Sequence, residues 1–359
     1  MKTMLAYRAE PTVVTVLSSS LAWDKPKLRS GGNIKNLHNH IGVKYPKCTK
    51  SITSSYNMGG RTRKPDPDKI HDILGGRMVE ENRVFQQELM VRSSDIGSDR
   101  KLSIVALSNY LQDTLVNHGE LIGVLSDGFS TPEMSRRDLV WVAYKTGIAI
   151  HCYPSRHDVI QVHTKLYESG KNRLGVDWIF SDLNSGNPLI LASSLYTMMN
   201  MRKRKLSKFV EEARMELKPY FMPENSPLIE NTRKIQTINI DTTDFTSLDL
   251  CPGWNDLDIN QHVNNAKYIE WILEGVPSSI KKSHGISRID MEFRKECDSD
   301  ATLQCLSKMV GNYNSESHSS ANGNNEGLIE VEHSLRLDSG QEIARGRTSW
   351  NPKHHQQLG

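Results

Sequence analysis

What most restricts the fold of this chain is that its order of elements occurs twice. In residues 102–121, Leu102, Val105, Ala106, Leu111, Leu115 and Val116 fall near helical spacing, which predicts an amphipathic helix. Apolar segments at 139–150, 159–166, 176–180 and 189–199, bounded by turn residues, read as strands. The order then recurs, with a short strand near 234–240, a helix over 264–273 and strands near 289–293, 302–310, 328–337 and 343–350. A hairpin turn marks the two copies. Asp182-Leu-Asn-Ser-Gly186 matches Arg336-Leu-Asp-Ser-Gly340, and each precedes a strand that ends in an aromatic, Tyr196 or Trp350. The expectation is an α+β protein made of two tandem copies of one unit, each an antiparallel sheet wrapped around a central helix.

Between the copies lies a polar joint. It holds Arg202, Lys203, Arg204 and Lys205, a helical stretch over 209–217, and Pro219, Pro223 and Pro227, as interdomain linkers do. The expected divisions are an arm over 1–77, a first domain over 78–200, a linker over 201–233, a second domain over 234–353 and a tail over 354–359. Residues 311–327, rich in Asn, Ser and Gly, read as a long hairpin loop in the second copy.

Composition narrows the functional classes. At 24% charged and 37% hydrophobic, 359 residues suffice for two packed domains and do not describe a collagen-like or low-complexity chain. No window approaches the ~18 consecutive apolar residues of a bilayer-spanning helix, so no transmembrane segment is expected. Cys48, Cys152, Cys251, Cys297 and Cys305 are odd in number and include no CxxC pair, which speaks against a zinc site or a disulfide framework and for a reducing compartment. The net charge of +3 conceals a split: residues 1–64 carry twelve Lys or Arg against Glu10 and Asp24, leaving 33 basic and 40 acidic residues beyond them. The basic, hydroxyl-rich arm reads as an organellar transit peptide, with a plain disordered basic tail as the alternative. The mildly acidic body, without a basic face interleaved with aromatics, argues against nucleic-acid binding.

The chemistry concentrates in Trp254-Asn-Asp-Leu-Asp-Ile-Asn-Gln-His-Val-Asn-Asn265. If this segment is extended, Asp258, Asn260 and His262, spaced by two, share one side. The helix beginning near Asn264 would bring its free N–H groups and positive dipole end to that side. A carboxylate to activate water, an amide, an imidazole and a helix N-terminus together meet the needs of acyl transfer. Taken singly, Asp258 and Asn260 also fit turn and cap roles, and His262 a surface position. A second candidate is Phe293-Arg-Lys-Glu-Cys-Asp-Ser-Asp300, with Glu296 beside Cys297. Cys297 could be a thiol nucleophile with His262 as its base and Asn260 as orienter, or a small buried hydrophobe. Neighbouring strand residues face opposite ways, which favours Glu296 as the direct participant.

Residues 256–274 and 293–297 resemble the signature of plant acyl-acyl-carrier-protein thioesterases. The similarity runs collinearly from about residue 80 to Lys353 through 111–118, 127–134, 198–200, 217–221 and 345–353, and Thr131-Pro-Glu-Met134 and Arg345-Gly-Arg-Thr-Ser-Trp350 are similar to the FatB type, which favours saturated chains. The resemblance implies two tandem hotdog domains, a plastid transit peptide, and hydrolysis of acyl-ACP to free fatty acid and holo-ACP without a metal or dissociable cofactor. It puts the catalytic positions on Asp258, Asn260, His262, Glu296 and Cys297, in either a Cys–His–Asn or a carboxylate-driven mechanism. Two first-copy segments depart from the family's pattern, Tyr153-Pro-Ser-Arg-His-Asp158 and Gly175-Val176, so chain length is not carried over.

The implied partner is acyl carrier protein bearing an acyl chain on 4'-phosphopantetheine. That protein is acidic, and Arg136, Arg137, Arg202, Lys203, Arg204 and Lys205 are the expected docking residues. Enoyl-thioester hydration and non-catalytic acyl-thioester binding are the rival functions. A tandem repeat supplies both units in one chain, so a monomer suffices, with a homodimer also open.

Overall fold

The computed structural model describes residues 75–124, 130–223, 227–230, 233–258, 262–312 and 327–353. Residues 1–74 of the expected arm, nearly all of the 311–327 loop and the tail lie outside them, while Gly76 and Arg77, also placed in that arm, belong to the first strand. Twelve strands among the described residues form one antiparallel sheet: β1 (Gly76–Val79), β2 (Val84–Met90), β3 (Leu139–Ile150), β4 (Val159–Ser169), β5 (Arg173–Asp182), β6 (Pro188–Asn200), β7 (Lys205–Ser207), β8 (Phe245–Leu250), β9 (His284–Phe293), β10 (Leu303–Asn312), β11 (Ile329–Leu337) and β12 (Glu342–Pro352). Their spatial order is β1-β2-β4-β5-β6-β3-β9-β12-β11-β10-β8, with β7 added onto β6. Read outward from β3 and β9, the halves have matching orders, which is the inferred repeat. The matching turns join β5 to β6 and β11 to β12, and Gly186 and Gly340 both take positive φ there, 70° and 83°.

The halves meet where β3 pairs with β9, from Lys145↔Glu292 to Ala149↔Arg288. Ile148 and Ile289 pair there with no exposed surface, and Lys145 Nζ lies 2.8 Å from Glu292 Oε1. Tyr153 Oη crosses the same seam to donate to Ile286 O at 2.7 Å.

Each half wraps one long helix. In the first, α1 (Ile104–Leu121) starts where Ser103 Oγ accepts from Ala106 N–H at 3.1 Å. Short α2 (Pro132–Arg136) and α3 (Glu211–Leu217) flank that half. In the second, α4 (Asn265–Glu274) is followed by the short α5 (Ser278–Ser283). Helix α4 comes so close to β12 that a Cβ on Gly346 would stand 2.7 Å from Ile272. Buried His333 closes the layer beneath it, between Ser307 Oγ and Thr348 Oγ1, each at 2.9 Å. Helices α1 and α4 pack against each other across the seam.

The strand expected near 234–240 is absent. Ile235 and Ile238 are buried, but they are spaced by three, and the segment's carbonyls meet side chains instead of a neighbouring strand. Arg347 Nη2 donates to Lys234 O at 2.9 Å, Arg345 Nη1 to Ile235 O at 3.2 Å, and Arg336 to Ile238 O. The edge strand of this half is β8. Upstream, the joint docks on Asp177, whose carboxylate accepts from Ser193 Oγ at 2.5 Å and Leu228 N–H at 3.2 Å, and burial lifts its pKa to about 6.

Arg347 and its pair Glu332 are both buried, 2.5 Å apart. Arg347→Met, which strands the buried carboxylate, is expected to cost about 3–5 kcal/mol, and Arg347→Met with Glu332→Leu far less. Denaturant unfolding of the two variants checks this.

Candidate active site

A compact loop precedes α4. Gly253 N–H donates to Asp256 Oδ2 at 2.7 Å to open a tight turn over Trp254–Asp256. Leu257 then pairs with Val263 in an isolated antiparallel bridge, and Asp258 N–H donates to His262 O at 2.7 Å. Asp258 and His262 therefore face each other through this backbone bond, while residues 259–261 of the segment expected to be extended lie outside the described residues. The two residues stand on either side of the loop's neck, where Asp258 Oδ1 accepts from His262 N–H at 3.1 Å. Asn264 caps α4 by accepting from Ala266 N–H at 2.9 Å. Asn260 lies outside the described residues.

Asp258 and His262 border a cavity of about 840 Å³ that runs between the two halves. The first half contributes an apolar wall that includes Leu111, Leu115, Trp141, Leu166, Leu174 and Tyr196, and the second contributes Val263, Tyr268 and Phe293. The N-terminus of α4 opens onto the same space through Asn264 and Asn265. A more polar cleft of about 600 Å³, lined by Arg92, Tyr110, Asp113 and Asn117, also reaches Asp258 and Asn264.

Glu296 enters the large cavity from the segment after β9, which Val263 N–H ties to the loop by donating to Cys297 O at 3.4 Å. Between His262 and Glu296 stands Arg204, from the turn joining β6 to β7. Its Nη2 lies 2.8 Å from His262 Nε2 and is ion-paired with Glu296, whose nearest oxygen is 4.0 Å from the imidazole. A guanidinium only donates, so His262 Nε2 accepts and the ring is assigned as neutral, with its proton on Nδ1. That Nδ1 is buried and has no hydrogen-bond partner among the described residues. Burial first, and Arg204 second, hold the imidazole below the usual histidine range, while Asp258 and Asp298 oppose them.

Cys297 does not line the cavity. It is buried, its thiol is 3.5 Å from Asp298 O, and burial together with Asp298 and Asp300 pushes its pKa to about 11. Of the expected docking residues, Arg136 pairs with Glu133, Arg137 with Glu133 and Glu212, and Arg202 with Asp138. Arg204 lines the cavity, paired with Glu296. Lys203 and Lys205 are exposed, without an ion pair among the described residues. Among those residues, no group of three His, Cys, Asp or Glu side chains is placed to hold a metal ion, and no helix is long and apolar enough to cross a membrane.

The loop has a twin in the first half, 161 positions earlier, as Ser103 is to Asn264. Asp95 Oδ2 accepts from Arg92 N–H at 2.8 Å, Ile96 bridges Leu102, and Gly97 N–H donates to Lys101 O at 2.9 Å. These three contacts match Gly253–Asp256, Leu257–Val263 and Asp258–His262 of the second loop, but Gly97 stands where Asp258 does and Lys101 where His262 does. The two departing segments of the first half also avoid the cavity: 155–158 form a turn between β3 and β4, and Gly175 lies under the Tyr167 ring.

Two half-sheets fused at one seam around adjacent helices, with carboxylates and an imidazole over an apolar cavity, define a double-hotdog protein. The acyl-ACP thioesterase N-terminal domain matches residues 82–217 and the acyl-ACP thioesterase C-terminal domain residues 239–352, so the chain belongs to the acyl-ACP thioesterase family. It is 43% identical over 290 residues to the palmitoyl-acyl carrier protein thioesterase, chloroplastic, of Gossypium hirsutum, covering 80% of this chain and 69% of that one. The protein of the same name from Arabidopsis thaliana is 42% identical over 288 residues, 80% of this chain and 68% of the relative. Among solved structures, the 12:0-ACP thioesterase from Umbellularia californica superposes with a TM-score of 0.68 at 37% identity, covering 76% of this chain and 96% of that one.

With its pKa near 11, the Cys297 thiol is about one thousandth ionised at pH 8. Exposed Cys152 and Cys251 are expected to alkylate readily at that pH, and Cys297 and Cys305 only after unfolding, as peptide mass mapping would show.

Proposed function

We propose that this protein hydrolyses the thioester of acyl-ACP, with a preference for saturated chains, to free fatty acid and holo-ACP. The observation that carries this reading is the placing of Asp258, His262 and Glu296 around one apolar cavity at the N-terminus of α4. The acyl chain lies along the first half's wall and the thioester carbonyl points to the α4 N–H groups, with Asn260 as the assigned side-chain donor. Asp258 takes a proton from water, and the oxygen attacks the carbonyl carbon; direct attack by the carboxylate is the variant of this step. The oxyanion is stabilised by the helix end and, on collapse, the C–S bond breaks. His262 and Glu296 pass the proton to the departing pantetheine sulfur.

In this reading Cys297 packs the floor behind Glu296, because its thiol is protonated and off the cavity. The names of the relatives support a chloroplast location, for which we assign the stroma. We take residues 1–77 as the transit peptide and arm, of which Gly76 and Arg77 already pair in β1, 78–200 as the acyl-pocket domain, 201–233 as the linker and 234–353 as the catalytic domain. The partner is acyl carrier protein with its acyl group on 4'-phosphopantetheine, received near exposed Lys203 and Lys205 and paired Arg136, Arg137 and Arg202. One chain supplies every named residue, so a monomer has a complete site.

Incubation with acyl-ACPs of graded length and saturation, with free fatty acids read out, tests the proposal. Asp258→Asn is expected to lower turnover roughly 10²- to 10⁴-fold, and Cys297→Ala to leave most of it. Undiminished cleavage by Asp258→Asn would sink the carboxylate mechanism, and loss of all activity in a folded Cys297→Ala would restore the thiol. Tight acyl-ACP binding with no hydrolysis by the unaltered chain would favour the binder.

A further inference from the structure

We propose that Arg204, supplied by the first half of the molecule, is a positioning residue for the chemistry in the second: by donating to His262 Nε2 and pairing with Glu296, it fixes the imidazole as the Nδ1–H tautomer and keeps the carboxylate turned to it. The inference rests on the hydrolase reading for its consequence, but its geometry stands independently. Three observations carry it.

The turn that presents Arg204 is braced on every side. Lys203 N–H donates to Asn200 Oδ1 at 2.9 Å, Asn200 Nδ2 to Arg137 O at 3.1 Å, and Met201 N–H to Asp138 O at 2.8 Å. Arg204 itself takes φ 50°, a left-handed conformation that costs a side-chain-bearing residue energy and persists only where the surroundings impose it. The guanidinium is then the group that touches both His262 and Glu296. Both contacts are made by one nitrogen, Nη2, whose two N–H bonds lie in directions fixed by the rigid guanidinium plane, whereas an ammonium's donors rotate. Finally, with Nε2 occupied, the remaining imidazole donor is the buried Nδ1–H, which has no acceptor among the described residues. A buried donor without an acceptor is costly, and an oxygen or sulfur of the substrate would relieve it.

The charges that face His262 are Arg204 from the β6–β7 turn, Asp258 from its own loop, and Glu296 and Asp298 from the segment after β9. Removing the cation leaves only carboxylates there, so the imidazole should take up a proton more readily and at the other nitrogen.

The test compares the full chain with Arg204→Met and Arg204→Lys. ¹⁵N-histidine NMR, with His262 assigned from the missing signal of His262→Gln, reads tautomer and titration, and the pH dependence of kcat/KM reads the consequence. For Arg204→Met the expected results are loss of the Nδ1–H tautomer, a His262 titration and an acid limb of kcat/KM both moved up by about one pH unit, and an unchanged thermal midpoint. Arg204→Lys keeps the charge and should hold the acid limb near its original pH while recovering only part of the rate. An Nε2–H tautomer in the unaltered chain, or a His262 tautomer and titration indifferent to Arg204→Met, would overturn the proposal. The NMR result stands whether or not the chain turns over acyl-ACP, so failure of the hydrolase reading appears separately, as a wild-type chain with the expected tautomer and no product.

Discussion

The pairing of β3 with β9 is the contact on which the rest depends. Five residue pairs, the fully buried Ile148 and Ile289 among them, turn two half-sheets into one and set α1 beside α4. With the helices adjacent, the space between the halves is walled mainly by apolar side chains of the first, while the second brings Asp258, His262 and Glu296 to its rim, where first-half Arg204 meets the latter two. The Lys145–Glu292 pair at the end of the seam adds a charge match in a partly buried setting.

The second half is also held from outside by its own arginines. Arg336, Arg345 and Arg347 give their donors to the carbonyls of an irregular segment, so backbone acceptors that no strand reaches are still satisfied. This explains why the linker ends as a strap over the sheet and why Ile235 and Ile238 sink into it. Asp177 does the corresponding work on the first half, taking the Leu228 N–H. A joint anchored at both ends limits how far the two halves can move apart.

Much of this was legible in the sequence because the signals were local. The apolar run of 139–150 became β3 with those bounds, the helix expected to begin near Asn264 starts at Asn265, and the shared Ser-Gly turns did mark equivalent hairpins. Elsewhere the deciding partners are distant. The 234–240 segment has the residues of a strand, but its hydrogen bonds come from arginines about a hundred positions away, which no local pattern encodes. Strand β8 was missed because it is an edge with exposed Leu248 and mostly polar neighbours. A period of two puts Asp258 and His262 on one side but does not encode the bond that the Asp258 carboxylate accepts from the His262 N–H. Arg204 sat in a run of four cations that reads as a solvated patch, and only the hairpin of β6 with β7 turns it toward His262, 58 residues on.

The twin loops show what fusion of two units makes available. Two identical subunits must carry the same side chains at both loops, so any substitution that improves one helps or harms the other. Within a single polypeptide that coupling is broken. One loop keeps Asp258 and His262, while its counterpart, on the same backbone frame, holds Gly97 and Lys101 and is free to drift or to serve packing alone. An internal repeat joined in one chain thus lets its two copies diverge at equivalent positions, each answering to its own half of the cavity.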